Sequence, residues 1–178
     1  MLLQPEGTLD AGVFNGFFGI YLNGGASNDG LDDLFFGKPG GDAIGEYVIE
    51  HRGGAGQISS GVDAVVGETA LLVVKAEFLA GNDRFTFYVN PTVGGPEPSG
   101  GAVKTDLDLG VVTGVTLYST GAHDVDEIRI GTTYADVVPP TGDGSAVPLP
   151  GVAWAGMALL GGVGARRWRN RGRGASCA

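Results

Sequence analysis

Two stretches of this chain concentrate side chains able to do chemistry. Asp124-Val125-Asp126-Glu127-Ile128-Arg129 packs three carboxylates and a guanidinium into six residues. In an extended strand Asp124 and Asp126 share a face with Ile128, while Glu127 points oppositely with Arg129. Cleaving a glycosidic bond needs two carboxyls about 5–10 Å apart across the sugar. The plainer expectation is that Glu127 pairs with a neighbouring basic group. The second stretch, Asn28-Asp29-Gly30-Leu31-Asp32-Asp33, sets oxygen ligands on a glycine-bearing loop, as a hard cation requires. Calcium is the ion that Asn28, Asp29, Asp32 and Asp33 would suit. The run lacks the spacing and terminal glutamate of an EF-hand loop, so a solvated acidic turn is the competing reading. No other cofactor is expected.

The remaining reactive residues are isolated. His51 and His123 have no second histidine or cysteine close in sequence, and read as surface or strand-end residues. The single cysteine, Cys177, excludes an intrachain disulfide and has no nearby base to activate it. Gly24-Gly25 and Gly40-Gly41 open no helix, so they are turns rather than phosphate cradles. Tyr21, Tyr88 and Tyr118 would stack on sugars if exposed, although single strand aromatics more often pack.

The elements that must position these residues are strands. Leu71–Leu79 places Leu72, Val74, Ala76 and Phe78 on one face and Lys75 and Glu77 on the other. After the turn Ala80-Gly81-Asn82-Asp83, Arg84–Asn90 alternates with Phe85, Phe87 and Val89 inward and Arg84, Thr86, Tyr88 and Asn90 outward. Two period-2 runs around such a turn predict an antiparallel hairpin. Further strands are expected in Val13–Leu22, Leu34–Phe36, Glu46–His51, Val111–Tyr118 and Asp126–Ile130, about seven in all. Asn90–Gly101 reads as a long loop because its prolines cannot join a central ladder. No helical pattern precedes residue 150. Short strands between frequent turns predict an all-β antiparallel sandwich over residues 12–138, with an exposed or poorly covered edge.

Composition agrees. Of 178 residues 34 are glycine, 43% are hydrophobic and 17% charged. This is too apolar for disorder and too rich in glycine for a helical body, and it lacks the three-residue period of collagen. All 20 acidic residues lie in 1–150 with six basic ones, so this segment carries 6 − 20 = −14. Such a body repels a phosphate backbone, and no nucleic-acid partner is expected. Residues 151–178 carry no acid and five arginines: Arg166, Arg167, Arg169, Arg171 and Arg173.

Residues 139–150 (PPTGDGSAVPLP) form a proline- and glycine-rich linker. Gly151–Ala165 is uncharged throughout. As a helix, these 15 residues span about 22 Å at 1.5 Å each, and the stretch lengthens to 21 residues between Pro148 and Trp168. Trp154 and Trp168 suit the two interfaces, and Arg166 and Arg167 can reach headgroups. The expectation is a lone transmembrane helix over 151–167 and a basic cytoplasmic tail over 168–178. The positive-inside rule leaves residues 1–150 outside the inner membrane.

Val147-Pro148-Leu149-Pro150, the apolar stretch and Arg166-Arg167 together resemble the PEP-CTERM sorting signal: a Pro-Glu-Pro-like motif, one transmembrane helix and a terminal basic cluster. Leu149 stands where that family most often has glutamate. The resemblance implies an exosortase as partner, recognition and cleavage at Val147, Pro148, Leu149 and Pro150, and a protein anchored in the bacterial inner membrane, then released to the cell surface or extracellular matrix. Met1-Leu2-Leu3-Gln4-Pro5-Glu6 is no signal peptide, so the true N-terminus is expected to lie upstream.

Val125–Tyr134 (VDEIRIGTTY), Phe35-Phe36-Gly37-Lys38-Pro39-Gly40-Gly41 and the 71–90 hairpin resemble LamG-like domains of the concanavalin A-like lectin/glucanase class. The resemblance implies a jelly roll over residues 1–138, incomplete because seven strands are too few, and a non-catalytic module that binds extracellular polysaccharide or serves structurally. The alternative it implies is a divergent glycan hydrolase. Glucanases of this class carry Glu-x-Asp-x-x-Glu on one strand. Here Asp124 opens the run and Arg129 replaces the last glutamate.

Overall fold

The structure, a computed structural model, describes residues 1–7, 9, 16–23, 33–40, 45–51 and 55–138. Among these it shows ten strands: β1 Leu2–Pro5, β2 Phe18–Leu22, β3 Leu34–Lys38, β4 Glu46–His51, β5 Ile58–Asp63, β6 Ala70–Glu77, β7 Arg84–Val89, β8 Ala102–Lys104, β9 Val115–Ser119 and β10 His123–Asp126. All pair antiparallel, in two five-stranded sheets ordered β10-β1-β6-β7-β8 (sheet A) and β5-β4-β3-β2-β9 (sheet B). One core joins them. Leu3, Leu72, Phe85 and Phe87 from sheet A meet Phe18, Leu34, Phe36 and Ile49 from sheet B. Phe36 and Phe87 lie 6.0 Å apart by ring centroid. The described residues therefore form an all-β sandwich.

Alternation builds the central hairpin, but β6 ends at Glu77, so Phe78, expected on the inward face, is corrected to an exposed position in the turn. β6 and β7 pair from Leu72↔Val89 to Glu77↔Arg84, with Phe85 and Phe87 essentially sealed in the core. Each such aromatic contributes about 1.5–3 kcal/mol by leaving water. Asp83 closes the turn. Its buried carboxylate accepts the Leu79 and Leu109 amides at 2.9 Å each. It thereby holds the hairpin against the segment that carries the chain from β8 to β9. The opposite face departs from expectation: Thr86 and Tyr88 are buried. Tyr88 packs with Val73 against Tyr134, Val137 and Val138. The last two belong to the helical turn α1 (Tyr134–Val137) and its end. That turn is absent from the sequence reading because four residues carry no helical period.

Three strands also exceed expectation: β1, β5 and β8. With them the sheets hold ten strands rather than seven, which removes the shortage that argued for an incomplete sandwich. Several boundaries move: Leu34–Phe36 extends to Lys38, Leu71–Leu79 becomes Ala70–Glu77, Arg84–Asn90 ends at Val89, and Val111–Tyr118 is corrected to Val115–Ser119. The Val13–Leu22 strand is confined among described residues to Phe18–Leu22, its first residues lying outside them. The Asp126–Ile130 strand is corrected to His123–Asp126. Glu127 adopts φ +57, and its amide donates to Asp126 Oδ1 at 2.7 Å, so the chain turns out of the ladder. Asn90–Gly101 contains no strand.

The exposed edge is present. β9 and β10 close the same side of the two sheets through a three-residue turn, and there Val115, Leu117, Ile128 and Ile130 stay at least 42% exposed. Among the described residues no helix is long and apolar enough to cross a membrane. The linker 139–150, the 151–167 helix and the basic tail lie outside them.

Candidate functional site

Sheet A presents a shallow groove of about 220 Å³ on its outer face, lined by Leu2, Leu3, Gln4, Thr69, Asp124, Val125 and Asp126. Register makes it: Leu2↔Asp126 and Gln4↔Asp124 across β1–β10 set the polar residues of both strands on one face, while Leu3 and Val125 turn to the core. Asp124 and Asp126, two positions apart on a strand, sit about 7 Å apart at Cα. Thr69 Oγ1 donates to Gln4 Oε1 at 2.5 Å, and the Gln4 amide donates onward to Glu6. Asp126 holds the Glu127 amide. The Asp124 carboxylate accepts no hydrogen bond among the described residues. The floor of the groove is thus a row of oxygens suited to accepting hydrogen bonds from a hydroxyl-rich ligand, and its openness suits contact rather than enclosure.

Glu127 forms an ion pair with Arg129 at the surface, the plain partner expected for it. Among the described residues the carboxyl that burial pushes upward is Glu50, on sheet B. It accepts from Gln57 Nε2 at 2.5 Å and is not part of the groove.

Each end of the core holds a buried lysine. At one end Lys104 Nζ lies 2.8 Å from Asp106 Oδ1 and donates to the Gly56 carbonyl at 2.9 Å. His51 Nε2 lies 3.4 Å from Asp106 Oδ2. The hydrogen bond from Lys104 holds the Asp106 carboxyl below its usual range. Gly56 is required at φ +57, because a Cβ there would come within 2.6 Å of both Asp106 Oδ2 and Lys104 Nζ. This clasp ties β8 of sheet A to β4 of sheet B.

At the other end Lys38 Nζ donates to the Pro39 carbonyl at 2.7 Å, and burial lowers its pKa. Nearby, His123 stacks its ring 5.3 Å from Phe18, and its Nδ1 lies 3.1 Å from Ser119 Oγ. Burial, with the charge of Lys38, lowers the His123 pKa as well.

Of the sequence-derived cation ligands, Asp33 is buried immediately before β3, and Asn28, Asp29 and Asp32 lie outside the described residues. Among the described residues no three histidine, cysteine, aspartate or glutamate side chains cluster as metal ligands. Tyr21 and Tyr88 are buried, so of the three stacking candidates Tyr118 alone offers a free ring, at 55% exposure. It meets Phe17 edge-on at 5.5 Å. Val147, Pro148, Leu149, Pro150 and the five C-terminal arginines all lie beyond the described residues. Sequence reasoning missed Gln4 and Thr69, whose only signal is their placement beside Asp124 once β1 is paired.

No family model, curated protein or solved structure matches the chain.

Proposed function

We propose that this is a non-catalytic, exported β-sandwich module, held at the inner membrane by its C-terminal segment and released by an exosortase-type cut at Val147–Pro150. The observation that carries this reading is the succession of three elements in the C-terminal sequence: a proline motif, an uncharged apolar stretch and five arginines without an acid. Prolines hold the motif extended, the conformation a protease cleft accepts, and prevent its absorption into a following helix. The apolar stretch and arginines then act as a stop-transfer anchor that presents the motif at the outer boundary. The −14 charge of residues 1–150 keeps the freed body soluble and unattracted to anionic lipid. In this reading the Asp124–Asp126 groove contacts extracellular polysaccharide through its acceptor row, with calcium at Asn28–Asp33 as a further proposal. The concanavalin A-like assignment remains part of the same proposal.

The test is mass spectrometry of the chain, fused behind a secretion signal, from hosts with and without an exosortase. The expected product ends near Pro148–Pro150 in the first host only. A C-terminus at Cys177-Ala178 in both makes the tail a permanent anchor and overturns the sorting reading. A glycan array beside a reducing-sugar assay addresses the body. Binding without turnover is expected, whereas turnover lost in Glu127→Gln would move the protein to the hydrolases.

A further inference from the structure

The two buried lysines are not equally answered. Lys104 shares a carboxylate with a histidine: Asp106 lies 2.8 Å from Lys104 Nζ by one oxygen and 3.4 Å from His51 Nε2 by the other. At the opposite end of the core, Lys38 and His123 repeat the lysine and the histidine without the carboxylate. Lys38 is 1% exposed, and its ammonium, with three donors to place, meets only the Pro39 carbonyl among the described residues. His123 Nε2 is buried with no partner. No carboxylate of a described residue pairs with either side chain.

Register brings these two side chains together. Phe18 pairs with Lys38 on one side and Ser119 on the other, so all three share the core face of sheet B. His123 comes from sheet A. It lies two positions before Val125, which packs on the core, and its ring sits 5.3 Å from that of Phe18. The Ser119 hydroxyl donates to the Gly121 carbonyl at 2.9 Å, so the 3.1 Å contact between Ser119 Oγ and His123 Nδ1 is donated by the ring. Nε2 of the neutral imidazole is then a bare lone pair, and protonation turns it into a second buried donor. Burial and, after it, the Lys38 charge lower the His123 pKa, which places the two groups within electrostatic reach.

We propose that Lys38 and His123 are the two halves of a buried site for one small monovalent anion, chloride or formate, which enters together with a proton on the imidazole. The anion stands where Asp106 stands at the other end, accepting from an ammonium and from a histidine Nε2–H. A buried ammonium beside an imidazolium is costly, and one negative charge between them satisfies both. Water also fills unsatisfied donors but leaves the charge unanswered. The site admits only a small ion, because Lys38 and Phe18 are sealed at 1% and 2% exposure. Ser119 and Gly121 at its rim are exposed and provide the way in.

The test uses the full chain in nonionic detergent. His123 and His51 are titrated by NMR in sodium chloride, sodium formate and sodium gluconate at equal ionic strength, gluconate being too large for the site. Chloride and formate are expected to shift the His123 midpoint upward and leave His51 in place, because a bound anion favours the imidazolium. The shift is expected to saturate with chloride concentration and to vanish in Lys38→Met with unchanged circular dichroism. Should that variant fail to fold, anomalous diffraction from bromide-soaked crystals of the parent reads the site directly, with a peak expected between Lys38 Nζ and His123 Nε2. One His123 midpoint in all three salts overturns the proposal and leaves water as the occupant. A chloride shift that persists in Lys38→Met, an equal shift of His51, or no bromide at this place overturns it as well. Asp42, outside the described residues, is the chain's own alternative. A parent indifferent to the salt, with anion dependence appearing only in Asp42→Asn, assigns the counter-charge to Asp42 and overturns the proposal.

Discussion

His123 is the residue whose titration the fold feels most directly. Its Nδ1 faces Ser119 Oγ, its ring lies on Phe18, its Nε2 is buried without a partner among the described residues, and Lys38 is the cation nearby. The folded protein therefore favours the neutral imidazole, with a pKa below the ordinary value of about 6.5. A histidine with a depressed folded pKa contributes stability that is present above its unfolded pKa and lost as pH falls through the folded one. The urea midpoint is expected to drop from about pH 7 to about pH 5, and His123→Gln to flatten that drop. Glu50 works in the opposite sense, because its raised carboxyl pKa contributes stability that fades as pH rises. Subtracting the His123→Gln profile from the parent profile isolates the histidine. Equal slopes in the two proteins would remove His123 as the cause.

At the scale of elements, sheet B depends on two missing side chains, at the paired Gly19 and Gly37. Gly19 in β2 lies beneath Phe35 of β3, and a Cβ on Gly19 would fall 1.6 Å from Phe35 Cε2. Phe35 is sealed beneath Phe17 and Tyr21, so the ring has little room to yield. Gly19→Ala is expected to cost about 2–3 kcal/mol by overpacking, measured by urea unfolding. Adding Phe35→Leu should restore part of that loss; strict additivity of the two changes would show that the residues do not collide.

The same elements show what a sequence makes legible. β6 and β7 were readable because each alternates and a Gly-Asn-Asp turn joins them, and β4 because it is a short run bounded by glycine. β1, β5 and β8 were not. β8 has three residues, β5 is the polar-rich Ile58-Ser59-Ser60-Gly61-Val62-Asp63, and β1 gains its identity from Ala70, Leu71 and residues 123–126. Nothing local marks such strands, since distant neighbours supply their hydrogen bonds. The groove was half legible for the same reason. Asp124 and Asp126 stand out in sequence, whereas Gln4 and Thr69 join them through long-range register. The buried lysines had a faint signal, each two positions beyond an inward apolar residue, Phe36 for Lys38 and Ala102 for Lys104.

The whole molecule is governed by its charge. Six cations against 20 acids over residues 1–150 set a self-repulsion that compactness intensifies. Ion pairs such as Lys104–Asp106 at 2.8 Å and the exposed Lys75–Glu97 at 3.0 Å answer only a small part of it. Raising ionic strength from about 0.01 to 0.3 M shortens the screening distance several-fold. The melting temperature is expected to rise by roughly 2–5 °C. A fall on adding salt would mean that the ion pairs outweigh the net charge.

The position of β1 also sets an order of events. It lies between β6 and β10, and Leu2 pairs with Asp126 near the far end of the body. Sheet A cannot be finished until residue 126 has been synthesised, and closing so long a loop is entropically slow. As the nascent chain lengthens, β1 waits for β6 and then β10. That delay prolongs the unfolded state, and the sandwich completes itself only after Asp126 is available.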